Sequence, residues 1–153
     1  MKRARVGIIA AAVFAVTSLA FAQAKPDFSG TWTLDAEASG RGGGRGGAAL
    51  GNGGTIKQTA DTLTIERTMG ENKVVTTYKL DGTESKNTMM GRGGTPMESV
   101  STAKFDGPKL TIVSKMDMGG QMVESTSVWT VSGSTLTIES TNARGTQKRV
   151  YKK

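Results

Sequence analysis

The residue types that carry most enzymatic chemistry are missing from this sequence. It contains no histidine and no cysteine, which removes the commonest general base, the commonest side-chain metal ligand and every thiol nucleophile. Serines and threonines are plentiful, but none has a histidine to activate it. The carboxylates are spread singly along the chain. We therefore expect a protein that is not an enzyme and that uses no cofactor and no resident metal ion.

Methionine is the remaining residue type with distinctive chemistry. The segment Met116–Met122 contains three methionines, and soft thioethers are ligands that suit Cu(I). Methionine also adapts to irregular apolar shapes, so the same side chains would suit the apolar part of an amphipathic ligand. Both interpretations stay open, and we favour the second. The candidate methionines for such an apolar rim are Met89, Met116 and Met118.

The elements that would position these residues are β-strands. Apolar and polar residues alternate along short segments bounded by turn residues, which is typical of half-buried strands. Leu63 and Ile65, for example, lie on one face of such a segment. No stretch has a helical apolar stripe of useful length. The predicted strands are 31–34, 55–59, 62–67, 73–80, 84–90, 97–105, 109–115, 121–131, 135–141 and 146–152.

The connections between these strands fall into two sets. Those after even-numbered strands are tight, such as Asp81–Gly82, a dipeptide typical of hairpins. Those after odd-numbered strands are longer and rich in glycine, and the segment 39–54 is a Gly/Arg-rich stretch that we expect to be flexible. Alternate turns of a meander lie at opposite ends, so one end carries the loose loops. We predict an all-β, antiparallel up-and-down barrel of eight to ten strands, with a mouth at that end.

The mouth loops also contain arginines, which would make the rim weakly basic. These are Arg41, Arg45, Arg92 and Arg144.

The first 24 residues have the pattern of a cleavable signal peptide. A basic segment, Met1–Arg5, precedes an uncharged apolar run, and the small-x-small rule places cleavage after Ala22 or Ala24. Without cysteine the chain has no lipid-attachment site and no disulfide scaffold. We therefore expect a secreted or periplasmic protein with one domain, residues 25–153, and no membrane span after processing.

The charge is modest once the signal peptide is removed. Loss of its three basic residues lowers the formal net charge from +7 to +4. That excess suits solubility and anionic small molecules, and it is too small to indicate a nucleic-acid partner.

Three short motifs carry a resemblance to a known superfamily. Phe28–Leu34 resembles the Gly-x-Trp opening of the calycins, which include lipocalins and fatty-acid-binding proteins. Lys148–Lys152 resembles the Arg-x-Tyr ending of the fatty-acid-binding proteins, and Lys104–Ile112 is similar to one of their hairpins. The resemblance spans nearly all of the mature chain. The whole is also similar to uncharacterised secreted bacterial lipocalin-like proteins.

This resemblance implies roles for particular residues. It implies that Trp32 closes the barrel floor and packs against a basic side chain of the last strand, either Arg149 or a neighbouring lysine. It also implies that Arg149 and Tyr151 hold a ligand carboxylate, as a guanidinium fork and a phenol can. Trp129 is a further candidate ligand contact, with core packing as the alternative.

The function expected from all of this is reversible, non-catalytic binding of a small apolar or amphipathic ligand by a monomer. The alternatives are a structural or interaction module of the cell envelope with a side-chain-filled barrel, and Cu(I) binding by the methionine rim.

Overall fold

A computed structural model describes residues 25–40, 50–90 and 95–153 of the chain. The predicted signal peptide, most of the predicted flexible loop and three of the four rim arginines (Arg41, Arg45 and Arg92) lie outside the described residues. Within the described residues, no helix is long and apolar enough to cross a membrane.

Ten antiparallel strands make up the described part of the chain, which confirms the predicted all-β meander. Their order in the sheet is β4-β3-β2-β1-β10-β9-β8-β7-β6-β5, so each strand pairs with its sequence neighbour except that β1 pairs with β10 and β4 does not pair with β5. The strands are β1 Gly30–Asp35, β2 Gly53–Gln58, β3 Thr62–Met69, β4 Asn72–Lys79, β5 Asp81–Met90, β6 Pro96–Asp106, β7 Lys109–Asp117, β8 Met122–Ser132, β9 Thr135–Asn142 and β10 Gly145–Lys152.

The sheet curls into a nearly closed barrel because β4 and β5, its two edges, lie side by side. The side chain of Asn87 on β5 accepts a hydrogen bond from the Thr77 amide and donates one to the Thr77 carbonyl, both at 2.9 Å. Ser85 Oγ accepts a hydrogen bond from the Lys79 amide at 2.8 Å. Two side chains thus replace the main-chain ladder along this β4–β5 seam.

The prediction of a hairpin at Asp81–Gly82 is wrong. Asp81–Gly82 does not form a hairpin turn between paired strands: Asp81 already pairs with Lys104 of β6, and the register shifts between Asp81 and Glu84. The Asp81 carboxylate accepts hydrogen bonds from the amide and hydroxyl of Thr83 at 2.8 and 2.6 Å. The dipeptide therefore makes a local bend that directs β5 towards β6.

Large apolar side chains fill one end of the barrel, which we call the base. The segment before β1 closes it, with Phe28 stacked against Phe105 at 6.3 Å and edge-on to Trp129 at 6.1 Å between ring centroids. Gln58 fixes this segment by accepting from the Phe28 amide at 3.0 Å and donating to the Pro26 carbonyl at 2.9 Å. The base is therefore a packed core rather than an opening.

The opposite end, the mouth, carries the connections that were predicted to be longer. Two of them are as short as the base turns: Gly70–Glu71 and Ala143–Arg144 each join fully paired strands. Two features lie at the end of the predicted flexible loop, whose residues 41–49 are outside the described part of the chain. Leu50 is fully buried, and β2 begins at Gly53 rather than Thr55.

Candidate functional site

The candidate site is the inner wall of the barrel, by which we mean the strand side chains that face the barrel interior. Arg149 and Tyr151 are two residues apart on β10 and both belong to it. The Tyr151 hydroxyl donates to the Gly51 carbonyl at 3.0 Å, and Arg149 Nη1 donates to the same oxygen at 3.4 Å. Two donors of the last strand thus converge on one acceptor.

Arg67 belongs to the same group and was not foreseen from the sequence. It lies on β3 in line with Leu63 and Ile65, which are fully buried on the inner wall. A Cβ atom on Gly51 would lie 3.3 Å from Arg67 Nη1, so this guanidinium also approaches the Gly51 segment. The signal was present in the sequence, because the alternation that puts Leu63 and Ile65 on one face extends by two residues to Arg67.

The inner wall carries this positive charge without a carboxylate. All thirteen acidic residues of the chain lie in the described segments, and each is on the outer face or in an exposed turn or terminal segment. Glu66 pairs outside the barrel with Lys57 and Lys73, both at 2.9 Å. Glu124 pairs on the outer face with Lys115 at 3.5 Å. The interior is therefore an environment that favours an anion.

Burial changes the acidity of the groups around these arginines. Burial raises the pKa of Tyr78 to about 12, although the charge of Arg67 opposes the increase. The pKa of Tyr151 is also raised by burial, and the hydrogen bond with Arg149 counteracts part of that effect. Burial lowers the pKa of Arg67, while the nearby tyrosines oppose the decrease. At neutral pH the group therefore presents guanidinium cations and neutral phenols, all of which can donate hydrogen bonds.

Serines line the inner wall on the strands that follow β10 in the sheet order. Their side chains face inward from four consecutive strands, β6 to β9, and we call them the serine wall: Ser99, Ser101, Ser114, Ser125, Ser127 and Ser140. Ser114, Ser125, Ser127 and Ser140 keep part of their exposure although they face inward. Water therefore reaches the interior at this level, above the packed base.

The two tryptophans lie in the base. Trp129 is buried in the core, and its indole nitrogen donates to Ser127 Oγ at 3.0 Å. Trp32 is also buried and donates to the Phe28 carbonyl at 2.9 Å. The basic side chain over its ring is Lys153, with Nζ 4.9 Å from the ring centroid, and not Arg149.

The methionines gather at the mouth but do not share one direction. Met89 and Met116 are on the inner wall and partly buried, whereas Met118 lies in a turn and is 56% exposed. Met122 is on the outer face of β8 and is 63% exposed. The thioethers of the Met116–Met122 segment thus point to different sides of the wall, which does not favour a shared Cu(I) site. Among the described residues, no group of three or more histidine, cysteine or acidic side chains could hold a metal ion.

Comparisons with known proteins agree with this architecture. No family model matches the chain, and no curated protein sequence matches it. Among solved structures, human cRBP IV superposes with a TM-score of 0.59 at 21% identity, covering 84% of this chain and 98% of that one. A second structure, titled REP1-NXSQ fatty acid transporter, gives a TM-score of 0.56 at 17% identity, covering 82% and 94%.

A third structure, secretory abundant heat soluble protein 4 from Ramazzottius varieornatus, is 22% identical over 65% of this chain and 66% of its own, with a TM-score of 0.48. The first two likenesses extend over most of both chains, and this chain forms a ten-stranded, nearly closed meander. The protein therefore has the calycin-like β-barrel fold.

Proposed function

We propose that this protein is an exported, non-catalytic carrier that binds one small amphipathic anion inside its barrel, as a monomer. The observation that carries the proposal is the convergence of Arg149 and Tyr151 on a single acceptor, the Gly51 carbonyl, on an inner wall that holds no carboxylate. Arg67 adds a second guanidinium beside that segment. Both guanidinium groups are half-buried on the inner wall, where an anionic ligand could accept hydrogen bonds from them.

A carboxylate can take over the role of the Gly51 carbonyl. Hydrogen bonds from a guanidinium to a carboxylate are charge-assisted and roughly twice as strong as those to a neutral carbonyl. The apolar part of the ligand would lie towards the mouth, where Met89 and Met116 face inward. One of the structural neighbours is titled a fatty acid transporter, which supports a carboxylate-bearing amphiphile as the first ligand class to test.

The binding proposal can be tested with 1-anilinonaphthalene-8-sulfonate, a fluorescent amphipathic anion. We expect it to bind the protein lacking residues 1–24, and Arg149→Gln to weaken binding about tenfold because a charge-assisted donor is lost. Tyr151→Phe should weaken binding less. Lys148→Gln is the matched control, because it removes the same charge from the outward-facing neighbour on β10. Equal affinities for the Arg149 and Lys148 variants would contradict interior binding.

Export is a separate part of the proposal and rests on the signal-peptide pattern of residues 1–24. We expect the full chain, expressed in a bacterial host with a Sec pathway, to appear outside the cytoplasm. Its intact mass should correspond to a chain that begins at Gln23 or Lys25. A cytoplasmic product that retains Met1–Arg5 would contradict it.

A further inference from the structure

The serine wall has a consequence for the kind of ligand that fits. Its members are direct cross-strand neighbours: Ser101 pairs with Ser114, Ser114 with Ser125, and Ser127 with Ser140. Neighbouring strands lie about 5 Å apart, so these side chains form one continuous hydroxyl-bearing surface. This surface and the packed aromatic base occupy different levels of the same interior.

Some hydroxyls of this surface are engaged within the protein and others face the interior. Ser101 and Ser114 share a hydrogen bond of 2.8 Å between their hydroxyl oxygens. Ser127 accepts from the Trp129 indole at 3.0 Å. Ser125 and Ser140 are partly exposed to the interior, so their hydroxyls are within reach of a molecule placed there.

A purely aliphatic ligand would interact poorly with this surface. It would displace water from the serine hydroxyls and give them no hydrogen bond in return, and each such loss is unfavourable. A ligand with hydroxyl groups of its own can replace that water, because a hydroxyl both donates and accepts.

We propose that the ligand is an anionic amphiphile that carries hydroxyl groups along its body, with its anion at Arg149 and Tyr151 and its hydroxyls against Ser125 and Ser140. This inference rests on the proposed function, since it concerns the same interior site. It names the class of molecule that the site selects: a hydroxylated acid in preference to a plain alkyl acid.

The test compares two acids of equal chain length, hexadecanoate and a trihydroxyhexadecanoate, as competitors of bound anilinonaphthalenesulfonate. An apolar cavity would prefer hexadecanoate, because the added hydroxyls lose their water on entry. We expect the reverse order here, with the hydroxylated acid competing at about tenfold lower concentration, as two or three added hydrogen bonds would give.

In the variant S125A/S140A, the ratio of the competing concentrations of the two acids should approach one, because the variant lacks the two hydroxyls that face the ligand. The matched control is T126A/T141A, which removes hydroxyls from the outward-facing neighbours on β8 and β9 and should keep the preference. Circular dichroism checks that each variant is folded.

The outcomes separate this inference from the proposed function. A preference for hexadecanoate, or one that S125A/S140A leaves unchanged, overturns the hydroxylated ligand class; the carrier proposal survives that result if Arg149→Gln still weakens both acids. If neither acid displaces the probe, both proposals are wrong.

Discussion

The chain has only two tyrosines, and both lie on the inner wall. Burial raises the pKa of Tyr78 to about 12 and also raises that of Tyr151. In the folded protein we therefore expect the absorbance increase of tyrosinate near 295 nm to begin well above pH 10. In urea, both tyrosines should ionise near pH 10. Identical titration curves in the two conditions would show that neither phenol is buried.

The same pKa increase makes stability depend on alkaline pH. The folded state keeps the Tyr78 proton between pH 10 and about 12, whereas the unfolded state releases it. Stability from this group is therefore fully present below pH 10 and decreases as the pH rises to about 12, by roughly 2–3 kcal/mol. Urea denaturation at pH 9 and pH 11 should show the decrease, and Tyr78→Phe should reduce it.

Gly53 illustrates how one position in a glycine-rich segment can be structurally required. Its φ is +149°, and a Cβ atom there would lie 2.5 Å from the Trp32 carbonyl oxygen. We expect Gly53→Ala to lower the free energy of unfolding by about 2 kcal/mol or more. Gly40→Ala is the control, because no atom lies within 4 Å of its Cβ position. Equal stability of the two variants in urea would contradict the close packing of β1 against β2.

At the scale of elements, the β4–β5 seam is the part of the barrel wall that has side-chain hydrogen bonds in place of a ladder. Asn87→Ala removes both bonds to Thr77, and we expect it to cost about 2 kcal/mol of unfolding free energy. Hydrogen exchange of the Thr77 and Lys79 amides should become faster.

Thr88→Ala is the control for this seam, because Thr88 is the exposed, outward-facing neighbour of Asn87. Unchanged exchange at Thr77 in the Asn87 variant would indicate that the two edge strands are held together by other contacts.

The strands were predictable because their signal is local. Two-residue alternation is visible within six or eight residues, and it correctly predicted a meander of eight to ten strands, of which the structure has ten. The Asp81–Gly82 prediction failed for the same reason. A dipeptide indicates a bend, but only the closure of the whole sheet determines that β4 and β5 are its two edges.

At the scale of the whole molecule, some contributions to the candidate site could not be predicted from the sequence. They depend on contacts between strands that are distant in the chain. Leu50 and Gly51 lie within the glycine-rich segment 39–54. Leu50 is buried, and the Gly51 carbonyl accepts a hydrogen bond from Tyr151, which lies near the other end of the chain. In the sequence, Arg67 does not differ from an ordinary arginine on a strand. Only the pairing of β10 with β1 brings Arg149 into the same barrel interior as Arg67. The charge of the inner wall is therefore a property of the closed barrel.

The central claim is that the interior arginines bind an anion, and the side-chain Nε resonances of arginine test it most directly. In the protein lacking residues 1–24, these can be assigned with the variants Arg67→Lys and Arg149→Lys. On titration with anilinonaphthalenesulfonate we predict shifts of the Arg67 and Arg149 resonances, with little change at Arg144, which is exposed in the β9–β10 turn. Shifts at Arg144 while both inner-wall resonances stay unchanged would contradict the account.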